Sequence, residues 1–200
     1  SGLPDSTALH PGYKCFISAA TYTLPMVLYR RNRLPGGGYF FTVTLRDRRS
    51  DYLLRYIDVL REAIRSVKAE RPFTIEAMVV LPDHLHAIWR LPQGDDDYPA
   101  RWRAIKARFV AGLRRQGVAL QRNLRGEASI WQSRYWEHTL RDEADFNAHC
   151  DYIHINPVKH GLATRAADWP HSSIHRFIAD GLYPENWAGG DELTQVGEPE

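Results

Sequence analysis

The 200-residue chain has few cysteines, few lysines and no long apolar run. Its two cysteines, Cys15 and Cys150, form no metal or redox spacing, and a disulfide framework is not expected. The longest uncharged stretch near the start, CFISAATYTLPMVLY, contains Pro25 and falls short of the ~20 apolar residues that span a bilayer. No signal peptide precedes it, so a cytoplasmic protein without a membrane partner is expected. Ser1-Gly2 reads as a remnant of expression and Met26 as an alternative start. Residues 1–27 are therefore set apart as an extension of uncertain role.

Only four of the 26 basic residues are lysine, and 22 are arginine. Arginine's planar fork suits phosphate and base edges, although a GC-rich genome would give the same bias. Hydrophobic residues make up 44% and charged residues 25%, the balance of a globular protein. The formal charge is +2, but acid is concentrated at the end. After Arg176 come Asp180, Glu185, Asp191, Glu192, Glu198 and Glu200, with no Lys or Arg among them. Residues 1–176 hold 26 bases against 18 acids, a basic body of +8 suited to a polyanion, followed by an acidic tail over 177–200. In that tail Leu182, Tyr183 and Trp187 are expected to dock on the body.

Gly36-Gly37-Gly38 introduces YFFTVTLR, whose alternation predicts a strand at 39–46. Ser50 caps a helix over 51–69 with Leu53, Ile57, Leu60, Ile64 and Val67 on one face. Pro72 ends it, and TIEAMVVL (74–81) reads as a buried strand. Pro82-Asp83 turns into a return strand at 84–91. Asp97 and Pro99 start a helix to about Gly117, with Trp102, Ile105, Phe109 and Leu113 inward. A loop at 118–130, a strand at 135–141 and a helix from Asp142 to Asn156-Pro157 complete the pattern. The order β-α-β-β-α-β-α predicts an α+β sandwich, one antiparallel sheet with helices packed on a face.

The strand 84–91, HLHAIWRL, places His84, His86, Ile88 and Arg90 on one face and Leu85, Ala87, Trp89 and Leu91 on the other. The second set is a core face. The first carries two imidazoles side by side, able to grip one divalent ion or to sit satisfied beneath a helix. A His-x-His-x-Asp-His metallohydrolase is disfavoured by Ala87, Ile88 and Trp89, and a cupin by the lack of a glutamate soon after His86. In the helix after Asp142, Phe146, Cys150 and Ile153 form the buried stripe. Tyr152 and Asn156, four apart, share another face.

A His-hydrophobic-His strand followed by one helix-borne tyrosine resembles the HUH endonucleases. GGGYFFTVTLRDRRS, VLPDHLHAIWRLPQGDDD, IWQSRYWEHTLRD, DYIHINPVKHGL and WPHSSIHRFIADGLYP are similar to the REP-associated tyrosine transposases over about residues 28–190. The resemblance implies a ferredoxin-like HUH sandwich with a transposase domain at 28–176. It also implies His84 and His86 as the HUH histidines, Tyr152 as nucleophile and Asn156 as a further metal ligand. Its substrate would be single-stranded DNA bearing palindromic REP hairpins, and its ion Mg²⁺ or Mn²⁺. A monomer is expected, with a dimer as the alternative.

Two basic segments are candidate DNA contacts. Arg101, Arg108 and Arg115 recur at seven-residue steps along what reads as the outer side of the third helix. Residues 101–125 carry eight bases and no acid. Arg30, Arg31 and Arg33, beside Tyr29, form a basic arm before the first strand. Two rival functions fit the same residues. One is a hydrolase in which His84 and His86 hold a metal that activates water, and the other a hairpin-binding protein without catalysis.

Overall fold

The computed structural model describes residues 33–120 and 130–189. Gly36, at φ 74°, turns the chain into β1 (Gly38–Thr44). A left-handed φ is steeply disfavoured for residues with a Cβ, which explains glycine there. Along β1 the side chains divide by parity, with Tyr39, Phe41 and Val43 entering one hydrophobic cluster and Phe40 another on the opposite face.

The helix expected over 51–69 is broken once. A short α1 (Tyr52–Arg55) and a longer α2 (Ile57–Glu70) meet at Tyr56, whose φ of −118° and ψ of 38° lie outside the helical region. Leu53, Leu60, Ile64 and Val67 are buried as the periodicity requires, whereas Ile57, beside the break, is only half-buried. β2 (Thr74–Val80) and β3 (His84–Arg90) come next as a hairpin closed by Leu81 N–H to His84 O at 2.8 Å. α3 (Tyr98–Arg115) is capped by the Asp97 side chain accepting from Ala100 N–H at 3.2 Å. β4 (Trp136–Thr139) forms only four residues of the strand expected over 135–141.

The sheet order is β2-β3-β1-β4 with every pair antiparallel. β3 lies between β1 and β2, the split βαβ arrangement of ferredoxin-like folds. α2 and α3 cover the face carrying Tyr39, Phe41, Leu85, Ala87 and Trp89. Trp89 and Trp102 stack there with centroids 4.1 Å apart at 16°. Such a pair adds roughly 0.5–1.5 kcal/mol beyond its buried area.

With both crossover helices on one face, the other is left for the chain after β4. α4 (Glu143–Lys159) fills it, packing Cys150 and Ile153 against Phe40, Ala77, Val79 and Ile88. The helices expected on one face are therefore divided between two, because Phe40, Ala77, Val79 and Ile88 give the opposite face an apolar patch that takes α4. α4 runs through Pro157 to Lys159 rather than stopping at it. Lying in the last turn, Pro157 forfeits a single helical hydrogen bond. Residues 171–173 then shield the β2 edge, with Val80 N–H to His171 O at 2.9 Å and Ser173 N–H to Met78 O at 2.8 Å. After α5 (Ile174–Ala179), Tyr183 packs 5.1 Å from His154 and bonds the Asp151 carboxylate. Leu182, expected to dock, is 66% exposed, because it stands in a turn and Tyr183 and Trp187 cover the helix instead. No helix among the described residues is long and apolar enough to cross a membrane.

Candidate active site

The two histidines of β3 lie on the α4 face, with ring centroids 5.0 Å apart at 83°. Strand pairing sets what stands beside each of them: Thr42 opposes His86, and Thr44 opposes His84. Thr42 Oγ1 lies 2.9 Å from His86 Nδ1, and Asp83 Oδ1 lies 2.8 Å from His84 Nδ1. With Nδ1 engaged in both rings, each would bind a metal through Nε2, oriented by the partner behind it. Both histidines are buried, at 4% and 1% exposure.

Asp83 owes its place to the tight turn before β3 and is held on its other oxygen by Arg48 at 2.6 Å. Burial raises its carboxyl, but His84 and Arg48 outweigh that and hold it below the usual carboxylate range. Asp83 thus stays anionic near neutrality and would support metal binding by the His84 imidazole.

From the helix side, the Tyr152 ring packs edge-on to His86 at 5.2 Å and to Phe40 at 5.9 Å. Asn156 and Lys159 stand at i+4 and i+7, on the same side of α4. Lys159 Nζ stands 4.7 Å from the Tyr152 ring centroid. Asn156 is fully buried, and neither amide atom has a hydrogen-bond partner among the described residues. Leaving a buried amide unpaired costs on the order of 1–3 kcal/mol. A polar side chain kept at that cost on the helix that carries Tyr152 fits a metal ligand. Two imidazoles and an amide form a neutral donor set compatible with a divalent ion.

A third histidine, which no sequence pattern singled out, joins them. His160, just past the end of α4, has its ring 5.2 Å from His84. Burial and the neighbouring His84 ring lower its pKa, with the Asp83 carboxylate opposing them in part. It lies inside YIHINPVKHGL, but on a helix-ending segment no periodicity would have aimed it at a strand.

The basic row on α3 is not a single outward track. Arg101, expected on the outer side, is 2% exposed and satisfied inside the protein. Its guanidinium bonds Asp95 at 2.6 and 3.0 Å, and the carbonyls of Arg71, Pro72 and Asp97 at 3.2, 2.8 and 3.1 Å. All five of its N–H donors are used there, so it braces the loops before α3 and cannot reach DNA. Arg108 bridges to Ser66 and Glu70 of α2. Arg115 is exposed. The row borders α2 because α3 packs along it. Arg33 pairs with Asp96 at 3.6 Å, and Arg30 and Arg31 lie outside the described residues. Exposed Arg46, Arg48 and Arg49 come after β1 on the Asp83 side of the site. Their signal was the RDRRS that ends the first strand's motif.

No family model matches the chain. The REP-associated tyrosine transposase of Escherichia coli (strain K12) is 50% identical to it over 170 residues, 85% of this chain and 96% of that one. A Haemophilus influenzae relative assigned to the same family is 41% identical over 172 residues, 98% of its length. A solved REP-associated tyrosine transposase, bound to a REP hairpin, matches with a TM-score of 0.76 at 48% identity. That match covers 88% of this chain and 98% of the other. Fold and identity together define a tyrosine transposase, an enzyme. The chain belongs to the REP-associated tyrosine transposases.

Proposed function

We propose that the protein is a metal-dependent single-stranded DNA endonuclease and strand transferase acting at palindromic hairpins of the REP type. The observation that carries this reading is the Tyr152 phenol packed 5.2 Å from His86, on the face that also holds His84. The hairpin substrate is inferred from the relative solved with a REP hairpin. It is in keeping with the basic body of the chain.

A divalent ion, Mg²⁺ or Mn²⁺, held by His84, His86 and Asn156 would polarise the scissile phosphate and take up charge in the transition state. The protein's own residues do the rest. A phenol is mostly protonated near neutrality and needs a nearby cation to become a useful nucleophile. Lys159 supplies a fixed positive charge at the Tyr152 ring. The Tyr152 oxygen forms a bond to phosphorus as the P–O3′ bond breaks. The phenolic proton leaves to solvent, and the departing 3′ oxygen takes one up. The products are a 5′-phosphotyrosine and a free 3′-OH. One phosphodiester has been exchanged for another, so attack by a 3′-OH on the phosphotyrosine rejoins strands without an external energy source.

The test is incubation of a labelled single-stranded hairpin with Mn²⁺, followed by a denaturing gel. Wild type should give a covalent protein–DNA band. Tyr152→Phe should give none while binding the hairpin normally. Cutting by Tyr152→Phe would select a water-activating hydrolase, and binding without cutting by wild type would select a hairpin-binding protein.

A further inference from the structure

His138, Asp145 and His149 stand apart from the histidine pair. His138 comes from β4, and Asp145 and His149 from the first two turns of α4. Asp145 Oδ2 accepts from His138 Nε2 at 2.8 Å, from Arg141 N–H at 3.0 Å and from Arg141 Nε at 3.1 Å. His149 Nδ1 lies 3.2 Å from Oδ1 and 2.7 Å from the Asp145 carbonyl. The two imidazole rings stack at 4.7 Å and 13°. The Asp145 and His149 side chains are 7% and 6% exposed, so water has little access to the carboxylate itself. Burial raises the Asp145 carboxyl, but His138 and Arg141 outweigh it and hold it at about 2.

The inner side of this cluster leads to the site. The His149 ring packs 4.7 Å from Phe40, and the same Phe40 ring meets His86 at 5.7 Å and Tyr152 at 5.9 Å. Tyr152 lies one helical turn beyond His149. Elsewhere α4 meets the sheet through Cys150 and Ile153 against Ala77, Val79 and Ile88. Apolar contacts of that kind resist separation but are not directional. A charge-assisted bond from the edge strand is directional.

We propose that Asp145, by gripping His138 of the edge strand beneath the His149 ring, is a positioning residue that sets the rotation of α4 and so the approach of the Tyr152 phenol to the histidine face. The proposal rests on the reading of Tyr152 as nucleophile. Its leverage comes from the geometric demand of in-line attack, where a misplacement of about 1 Å costs on the order of 100-fold. The same three side chains offer ligand atoms within 4.8 Å of one another, so a divalent cation is the rival occupant. The donors already aimed at the carboxylate, Arg141's guanidinium among them, favour the clamp, since a cation would have to displace them.

The experiment uses the full chain with 3-fluorotyrosine placed at position 152, as wild type, Asp145→Asn and His138→Phe. The second variant keeps the ring stack at the sheet edge while removing only the donor, and it decides the matter if Asp145→Asn does not fold. Adduct formation at saturating hairpin and Mn²⁺ should slow by about 10–100-fold in both variants. Hairpin Kd and the far-UV circular dichroism spectrum should stay unchanged. The single fluorine resonance of wild type should broaden or split. Rates within about two-fold of wild type with an unchanged resonance would overturn the clamp. A second bound equivalent of Mn²⁺ or Zn²⁺, lost in Asp145→Asn, would overturn it in favour of a cation site. If wild type itself forms no adduct, the nucleophile reading fails instead, and the fluorine resonance still reports on the clamp.

Discussion

His84 donates from Nδ1 to the Asp83 carboxylate at 2.8 Å, while Arg48 holds the other oxygen of that carboxylate at 2.6 Å. The ring is therefore oriented from behind by an anion that is itself anchored. Asp83→Asn removes the charge and keeps the shape. Mn²⁺ affinity, measured by calorimetry, should fall by about 10–100-fold, with cleavage falling alongside. Unchanged Mn²⁺ affinity would show that His84 does not bind metal through the ring Asp83 holds.

Asn156 combines complete burial with an amide that has no hydrogen-bond partner among the described residues. Asn156→Leu replaces the amide with an apolar group of similar size. Without metal, its Tm should equal or exceed that of wild type, since about 1–3 kcal/mol of unpaired polarity is relieved. Cleavage should be lost. A lower Tm would mean that the amide is bonded in the free protein.

Arg101 and Arg115 sit two heptads apart on α3 and should behave in opposite ways. Arg101→Ala strands Asp95 and three carbonyls, and should destabilise by about 3–5 kcal/mol, measured by urea denaturation. Arg115→Ala should leave stability within about 0.5 kcal/mol and lower the salt slope of hairpin binding by roughly one. A stable Arg101→Ala protein with a reduced salt slope would reverse the two assignments.

The Asp145 carboxyl titrates at about 2 in the folded protein, below its reference value of 3.8. A depressed acid stabilises the fold above its unfolded pKa and loses that contribution as pH falls through the folded one. The gap in urea midpoint between wild type and Asp145→Asn should be open at about pH 5, where the carboxylate is ionised in both the folded and the unfolded chain. It should narrow as pH drops from about 4 towards 2. A gap as wide at the bottom of that range as at about pH 5 would mean the carboxylate's charge is not what matters.

Alternation alone revealed β1 and β3, and it put His84 and His86 on one face before any fold was known. Helical periodicity did the same for Leu60, Ile64 and Val67 and for Trp102, Ile105, Phe109 and Leu113. What periodicity could not show is which neighbour a residue meets. Arg101 lies on the side of α3 that Asp95 and the Arg71 and Pro72 carbonyls close over, so a residue read as outward is braced inside. The break at Tyr56 has no proline or glycine to mark it, and α4 passes through Pro157 because a proline in the last turn costs a single helical bond. His160 and the His138–Asp145–His149 cluster join a strand, a helix and the residue after a helix, which only the assembled fold brings together. Tyr152 and Asn156 were legible as a pair at i and i+4, but the nearness of Tyr152 to His86 depended on α4 crossing the histidine face.

The most direct measurement is peptide mapping of the covalent product by tandem mass spectrometry. Wild-type protein is incubated with a hairpin oligonucleotide and Mn²⁺, digested with protease and nuclease, and searched for a residue bearing a nucleotide 5′-phosphate. The modification should fall on Tyr152, with an unmodified 3′-OH on the released strand. A phosphate on any other side chain, or cleavage products carrying oxygen from labelled water with no modified peptide, would contradict Tyr152 as the nucleophile.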